Sequence, residues 1–200
     1  CDTKNNRIQK FTSDGFFIKA WGSKGSGYGQ FESPADVAVD SSGNVYVVDE
    51  LNYRIQKFTS AGVFIKAWGS KGTGDGEFGE SDWYMFPTGP KGIAIDSSDY
   101  VYVADTSNHR IQKFNSEGVF IHAWGSYGNG EEQFDRPERI AINGNGNLYI
   151  ADRYNNRIQR CTSNGEFLGS WGPWEIVDLD GNAHSLRPCD IAINSSGHVY

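Results

Sequence analysis

The sequence predicts an all-β protein built from small four-stranded antiparallel sheets stacked one on the next. Two observations carry this reading. The stretch Arg54-Ile55-Gln56-Lys57-Phe58 comes back as Arg7-Ile8-Gln9-Lys10-Phe11, as Arg110-Ile111-Gln112-Lys113-Phe114 and as Arg157-Ile158-Gln159-Arg160-Cys161. The copies begin 54 − 7 = 47, 110 − 54 = 56 and 157 − 110 = 47 residues apart, a period that signals a repeat architecture. Within each repeat, four short apolar runs are separated by turns rich in Gly, Asn, Asp and Ser.

The second repeat shows the elements in order. Pro34 opens it, and Asp36 to Val39 reads as a strand. Asp40-Ser41-Ser42-Gly43-Asn44 is a turn by composition, and Val45 to Val48 a second strand. Asp49 to Tyr53 is a polar loop, Arg54 to Phe58 a third strand, Thr59 to Gly62 a turn and Phe64 to Trp68 a fourth strand. A Gly-rich loop then leads to Phe78. Ile55 and Phe58 point to opposite faces of their strand, as do Val47 and Val48, so the sheet is apolar on both faces and has a neighbour on each. Radial stacking of such sheets is a β-propeller.

Residues 90–134 and 137–171 repeat the order. The fourth copy is split: Ile191-Ala192-Ile193 and Val199-Tyr200 supply strands one and two, and Arg7 to Phe11 and Phe17 to Trp21 supply three and four. The halves complement each other to within one residue, so the sequence predicts a propeller of four blades with one blade completed by the two termini. The alternative is an arc of a larger, six-bladed ring. Residues 1–200 read as a single domain.

Composition narrows the function classes. Formal charge is 18 − 25 = −7 with no basic block, which argues against a nucleic-acid partner. No stretch is apolar for long enough to span a membrane. The N-terminus carries no signal peptide, so a secreted precursor would already be trimmed. Cys1, Cys161 and Cys189 lack metal-ligand spacing and cannot all pair with one another, which leaves their disulfide state open.

Asp105-Thr106-Ser107-Asn108-His109-Arg110-Ile111-Gln112-Lys113-Phe114, following Val101-Tyr102-Val103-Ala104, strongly resembles an NHL repeat. So do Asp49…Asn52-Tyr53-Arg54, Asp152…Asn155-Asn156-Arg157 and Asp2…Asn5-Asn6-Arg7. Departures are Cys161 in place of Phe, Asp99-Tyr100 where Gly-Asn is usual, and the irregular loops 79–89 and 173–187. The resemblance implies a β-propeller, more often six-bladed, and an extracellular or cell-surface place. It also implies two competing classes, since some NHL-like propellers are metal-dependent lyases and some bind RNA. The lyase reading needs a His cluster, and His109, His122, His184 and His198 occupy four different positions of their repeats.

Residues present in every repeat are most cheaply explained by the fold. Asp2, Asp49, Asp105 and Asp152 are expected to pair with Arg7, Arg54, Arg110 and Arg157 rather than to ring a metal, and Trp21, Trp68, Trp124 and Trp171 to pack between blades. The Gly-rich loops lack the Gly-Lys-Ser/Thr ending of a phosphate loop and serve as turns. Asp178-Leu179-Asp180-Gly181-Asn182 alternates oxygen ligands like the start of a calcium loop, but its glycine is misplaced and its distal Glu missing. A surface turn is the simpler reading, and calcium is the one cofactor left open.

The residues that the repeats do not require are more telling. Trp83, Tyr84 and Phe86 in one irregular loop and Trp174 in the other, with Tyr53 and Tyr154, fall on one face by the order of the strands. Large aromatics on loops of a rigid scaffold are candidate binding anchors. The sequence therefore predicts a non-catalytic scaffold that binds a protein or a glycan through that face. Unpaired strand edges at the termini add self-association as a further expectation.

Overall fold

The computed structural model describes residues 1–79, 88–173, 187–194 and 196–200, together with the backbone of 175–177 and 183–185. Its strands are β1 (Ile8–Phe11), β2 (Phe17–Trp21), β3 (Pro34–Val39), β4 (Val45–Asp49), β5 (Arg54–Phe58), β6 (Phe64–Trp68), β7 (Gly92–Ile95) and β8 (Val101–Asp105). They continue with β9 (Arg110–Phe114), β10 (Phe120–Trp124), β11 (Pro137–Ile142), β12 (Leu148–Asp152), β13 (Arg157–Cys161), β14 (Phe167–Trp171), β15 (Glu175–Val177) and β16 (Ala183–Ser185). Single 3-10 turns at Thr3–Asn5, Glu50–Asn52, Thr106–Asn108 and Arg153–Asn155 precede β1, β5, β9 and β13, and in the complete blades link the second strand to the third. Among the described residues no helix is long and apolar enough to cross a membrane.

Three sheets are complete four-stranded meanders, β3-β4-β5-β6, β7-β8-β9-β10 and β11-β12-β13-β14. The first strands of these blades, β3, β7 and β11, lie side by side. Alternate residues of one strand go to different inter-blade cores, as the period of two requires. Val45, Val47 and Phe58 join Ile8 and Phe31 on one face of the second blade. Tyr46, Val48 and Ile55 join Phe78, Ile93, Val101, Val103 and Phe114 on the other. The pattern is passed on to Tyr102, Ala104 and Ile111 with Phe134, Ile140, Leu148, Ile150 and Cys161. Cys161 stands where the other complete blades have Phe, and burial pushes its thiol up to about 12, so it packs as a small apolar group.

The Trp residues are packing residues, as expected. Three of the four lie under a glycine of the next blade's second hairpin turn, Trp21 under Gly62, Trp68 under Gly118 and Trp124 under Gly165, whereas Trp171 is half-exposed and stacks on Tyr149 of its own blade. Gly62 has φ +74°, and a Cβ there would come within 2.8 Å of the Trp21 indole. A glycine is therefore required both by the turn and by the ring beneath it.

Of the two forms left open by the sequence, the structure has the arc. Among the described residues β1 pairs only with β2, and the C-terminal segment forms its own Ile193–Val199 bridge with Ala192 and Tyr200 hydrogen-bonded to each other. The split blade is thus not completed by the two termini. The consequence is visible in exposure: Phe11 is 49 % exposed where Phe58 is 1 %, and Tyr200 75 % where Tyr46 is 0 %.

Candidate functional site

The loops between second and third strands and those between one blade and the next share one face of the arc. Its repeated chemistry is an Asp–Arg clasp. Asp49, fully buried, lies 2.8 Å from Arg54 Nε; the Asp105–Arg110 and Asp152–Arg157 pairs repeat that distance. The other Asp49 oxygen accepts the Glu32 backbone N–H at 2.7 Å, and Asn52 Nδ2 bonds both. The guanidinium then reaches into the preceding blade's Gly-rich loop and donates to the carbonyls of Ser26, Gly27 and Gln30. Gln56, buried with no exposure, bridges the Gln30 carbonyl and Asp49. The expected in-blade pair is present, and it also ties neighbouring blades together. This second role went unread because its acceptors are main-chain carbonyls, which leave no side-chain signature. The recurrent Gln inside an apolar strand was the available signal.

Tyr53 and Tyr154 occupy different positions of their loops. Tyr53 aligns with Asn6, His109 and Asn156; all four cap the 3-10 turn in the left-handed conformation, with φ between 52° and 54°. The Tyr53 ring packs against the core between second and third blades, with Lys71 Nζ 5.6 Å from its centre. Tyr154 aligns with Lys4, Leu51 and Ser107, so its aromatic side chain has no repeated counterpart. Its backbone N–H is held by the Asp135 carbonyl at 3.1 Å. Three guanidinium carbons surround its ring, Arg187 at 4.6 Å, Arg136 at 5.6 Å and Arg153 at 5.7 Å. Arg153 also donates to Glu138 at 2.6 Å, and Lys91 bonds the same carboxylate at 2.9 Å, which places a charged network beside the first strands. Trp83, Tyr84, Phe86 and Trp174 lie outside the described residues, as does the Asp178–Asn182 segment.

The histidines with described side chains do not converge. His122 stacks on Trp124 at 5.9 Å, His198 contacts Asn194, and His109 lies edge-on to Tyr127 at 4.9 Å. Among the described residues no three His, Cys, Asp or Glu side chains gather as a metal would need.

His109 makes a pH prediction. Burial holds its imidazole below the ordinary range, opposed by Asp135 and assisted by Arg136. The unfolded chain protonates this group near about pH 6.5, the folded chain only at lower pH. The stability tied to neutral His109 is therefore complete above about pH 6.5 and is lost as pH falls through the folded value. His109→Asn restores the residue found at Asn6, whose Oδ1 accepts Ser33 N–H at 3.0 Å just as His109 Nδ1 accepts Arg136 N–H at 3.1 Å. Urea midpoints at pH 7.5 and pH 5 are expected to differ less in His109→Asn than in the wild type; an equal difference would refute the assignment.

The geometry defines an open arc of propeller blades held by repeated clasps. The NHL repeat model matches residues 31–58, 88–114 and 134–161, one match per complete blade. These three blades are NHL repeats. Protein brain tumor of Drosophila melanogaster is 42% identical over 52 residues, covering 26% of this chain and 5% of that protein. RING finger protein nhl-1 of Caenorhabditis elegans is 39% identical over 57 residues, covering 28% of this chain and 5% of that protein. Among solved structures, a catalytically inactive virginiamycin B lyase from Staphylococcus aureus with quinupristin superimposes with TM-score 0.60 at 16% identity, over 99% of this chain and 63% of that one. A streptogramin B lyase gives TM-score 0.59 at 18% identity, over 100% and 62%. At that identity the likeness is one of fold.

Proposed function

We propose that this chain is a non-catalytic binding module that recognises a protein or a glycan through the face bearing loops 79–89 and 173–187. One observation carries the reading. Tyr154, which the repeat does not use, stands on that face within a ring of three arginines. An aromatic body flanked by guanidinium groups supplies contact area and fixed hydrogen-bond donors together, the composition of interface hot spots. Trp83, Tyr84, Phe86 and Trp174 are proposed as further anchors on the same face, and an extracellular or cell-surface place as the setting. The test screens the wild type, Tyr154→Ala and the Trp83→Ala/Trp174→Ala double variant against one panel of proteins and glycans. Both variants are expected to keep the wild-type melting temperature and to lose affinity by about tenfold or more, the scale of a hot-spot truncation. Unchanged affinity in both would remove the loop face from the account.

A further inference from the structure

The junction between the third and fourth blades contains a half-open cleft of about 280 Å³ lined by Tyr127, Gly128, Asn129, Asp135 and Asn155. The repeats supply an internal comparison for it. Lys24, Lys71 and Tyr127 are equivalent, as shown by their bridges to Phe31, Phe78 and Phe134. One residue beyond those phenylalanines stand Glu32, Gly79 and Asp135. Between the first and second blades, Lys24 Nζ lies 3.6 Å from Glu32. Between the second and third there is no carboxylate at the position, and Lys71 lies over the Tyr53 ring instead. The third junction keeps the carboxylate and has Tyr127 in place of the lysine.

Asp135 is left short of partners. Its Oδ1 is buried and accepts no hydrogen bond. His109 Nδ1 is 3.6 Å from that oxygen but already accepts the Arg136 N–H, so it offers no proton there. Arg136, Arg187 and Asp152 act on the carboxylate electrostatically. A buried acceptor without a donor is costly and is normally satisfied.

We propose that this cavity binds a primary ammonium group, the side chain of a lysine presented by a partner, in the place that Lys24 takes in the sister junction. An ammonium has three donors and no acceptor. Asp135 accepts one of them. Asn155 spends its amide N–H groups on the Gly128 carbonyl and Asp152, which leaves its carbonyl oxygen as a second acceptor. The Tyr127 ring, 70 % exposed and braced edge-on by His109, offers a π face to the cation and its methylene stem. Asp135 shares its charge with Arg136 and Arg187, so added salt weakens the binding. The proposal rests on the reading of the loop face as the binding face, and it specifies one contact there.

The experiment titrates the protein with Nα-acetyl-lysine amide, with the uncharged Nα-acetyl-norleucine amide and with putrescine, followed by NMR shifts of the cavity residues. The lysine derivative is expected to saturate the cavity and the norleucine derivative to leave it unmoved. Tyr127→Lys fills the site from within, as Lys24 does, and is expected to bind the lysine derivative about tenfold more weakly while remaining folded. Asp135→Asn is expected to lose binding to a similar degree. Equal binding of the norleucine derivative, no saturation by the lysine derivative, or unaltered binding by Tyr127→Lys would each overturn the proposal. Tighter binding of putrescine than of the lysine derivative would overturn the assignment to a partner's side chain. These titrations involve no macromolecular partner, so failure here leaves the panel test of the loop face standing, and failure of the panel leaves the cavity result intact.

Discussion

Arg110→Ala is expected to lower stability by about 3 kcal/mol, because it leaves a buried carboxylate without its cation. Asp105 has no exposure and Arg110 only 14%. Removing the guanidinium also deletes its bonds to the Gly74 and Glu77 carbonyls, which clasp the second blade to the third. Asp105 would keep the Gly79 N–H, Asn108 and Gln112, so the blade should weaken rather than unravel. In a chain of this size the shift in melting temperature is on the order of 10 °C. Arg7→Ala is the internal control. Its pair with Asp2 is much more open, and the Asp2 carboxyl is held below the usual range chiefly by the Arg7 hydrogen bond, with the ion exposed to water. A far smaller change is expected there. Equal melting shifts for the two variants would show that burial does not set the strength of the clasp.

Gly69→Ala is expected to cost about 3 kcal/mol, the sum of a backbone term and an overpacking term. Gly69 has φ +101°, and a Cβ would stand 2.5 Å from the Phe78 ring and 2.9 Å from the Tyr53 carbonyl. Phe78 is fully buried between two blades and has nowhere to move. Gly76→Ala separates the two terms. Gly76 has φ +77°, but no atom lies within 4 Å of its added Cβ. It should show the backbone cost alone, about 1 kcal/mol. Chemical denaturation of the two variants measures both, and an equal loss in both would mean that Phe78 yields without cost.

The strands were legible because two signals agreed. Apolar residues on both faces of β4 and β5 required neighbours on both sides, and glycines marked the turns. The Asp–Arg pairing was legible because both residues recur in every repeat, which points to a role in the fold. The blade-to-blade half of the clasp was not, because Arg54 ends on carbonyls 24 to 28 residues earlier. Ring closure was misleading for a related reason. The complementarity of Tyr200 with Cys1 lies in the repeat pattern, whereas closure depends on the turn between stacked sheets, which no short motif encodes. At the candidate site, grouping Tyr53 with Tyr154 treated two loop positions as one. The alignment of Tyr53 with Asn6, His109 and Asn156 marks a left-handed cap, and that of Tyr154 with Lys4, Leu51 and Ser107 marks a position free to vary. The unpartnered Asp135 could have been found the same way, by asking which repeat keeps the acid and drops the lysine.

The central claim is that residues shared by all repeats hold the blades and that residues peculiar to one repeat bind. The measurement that tests it most directly is the affinity of Arg110→Ala, below its melting transition, for whichever panel member the wild type binds. The account predicts wild-type affinity alongside a lowered melting temperature. Lost affinity with an unchanged melting temperature would contradict it and make the clasp itself the binding site.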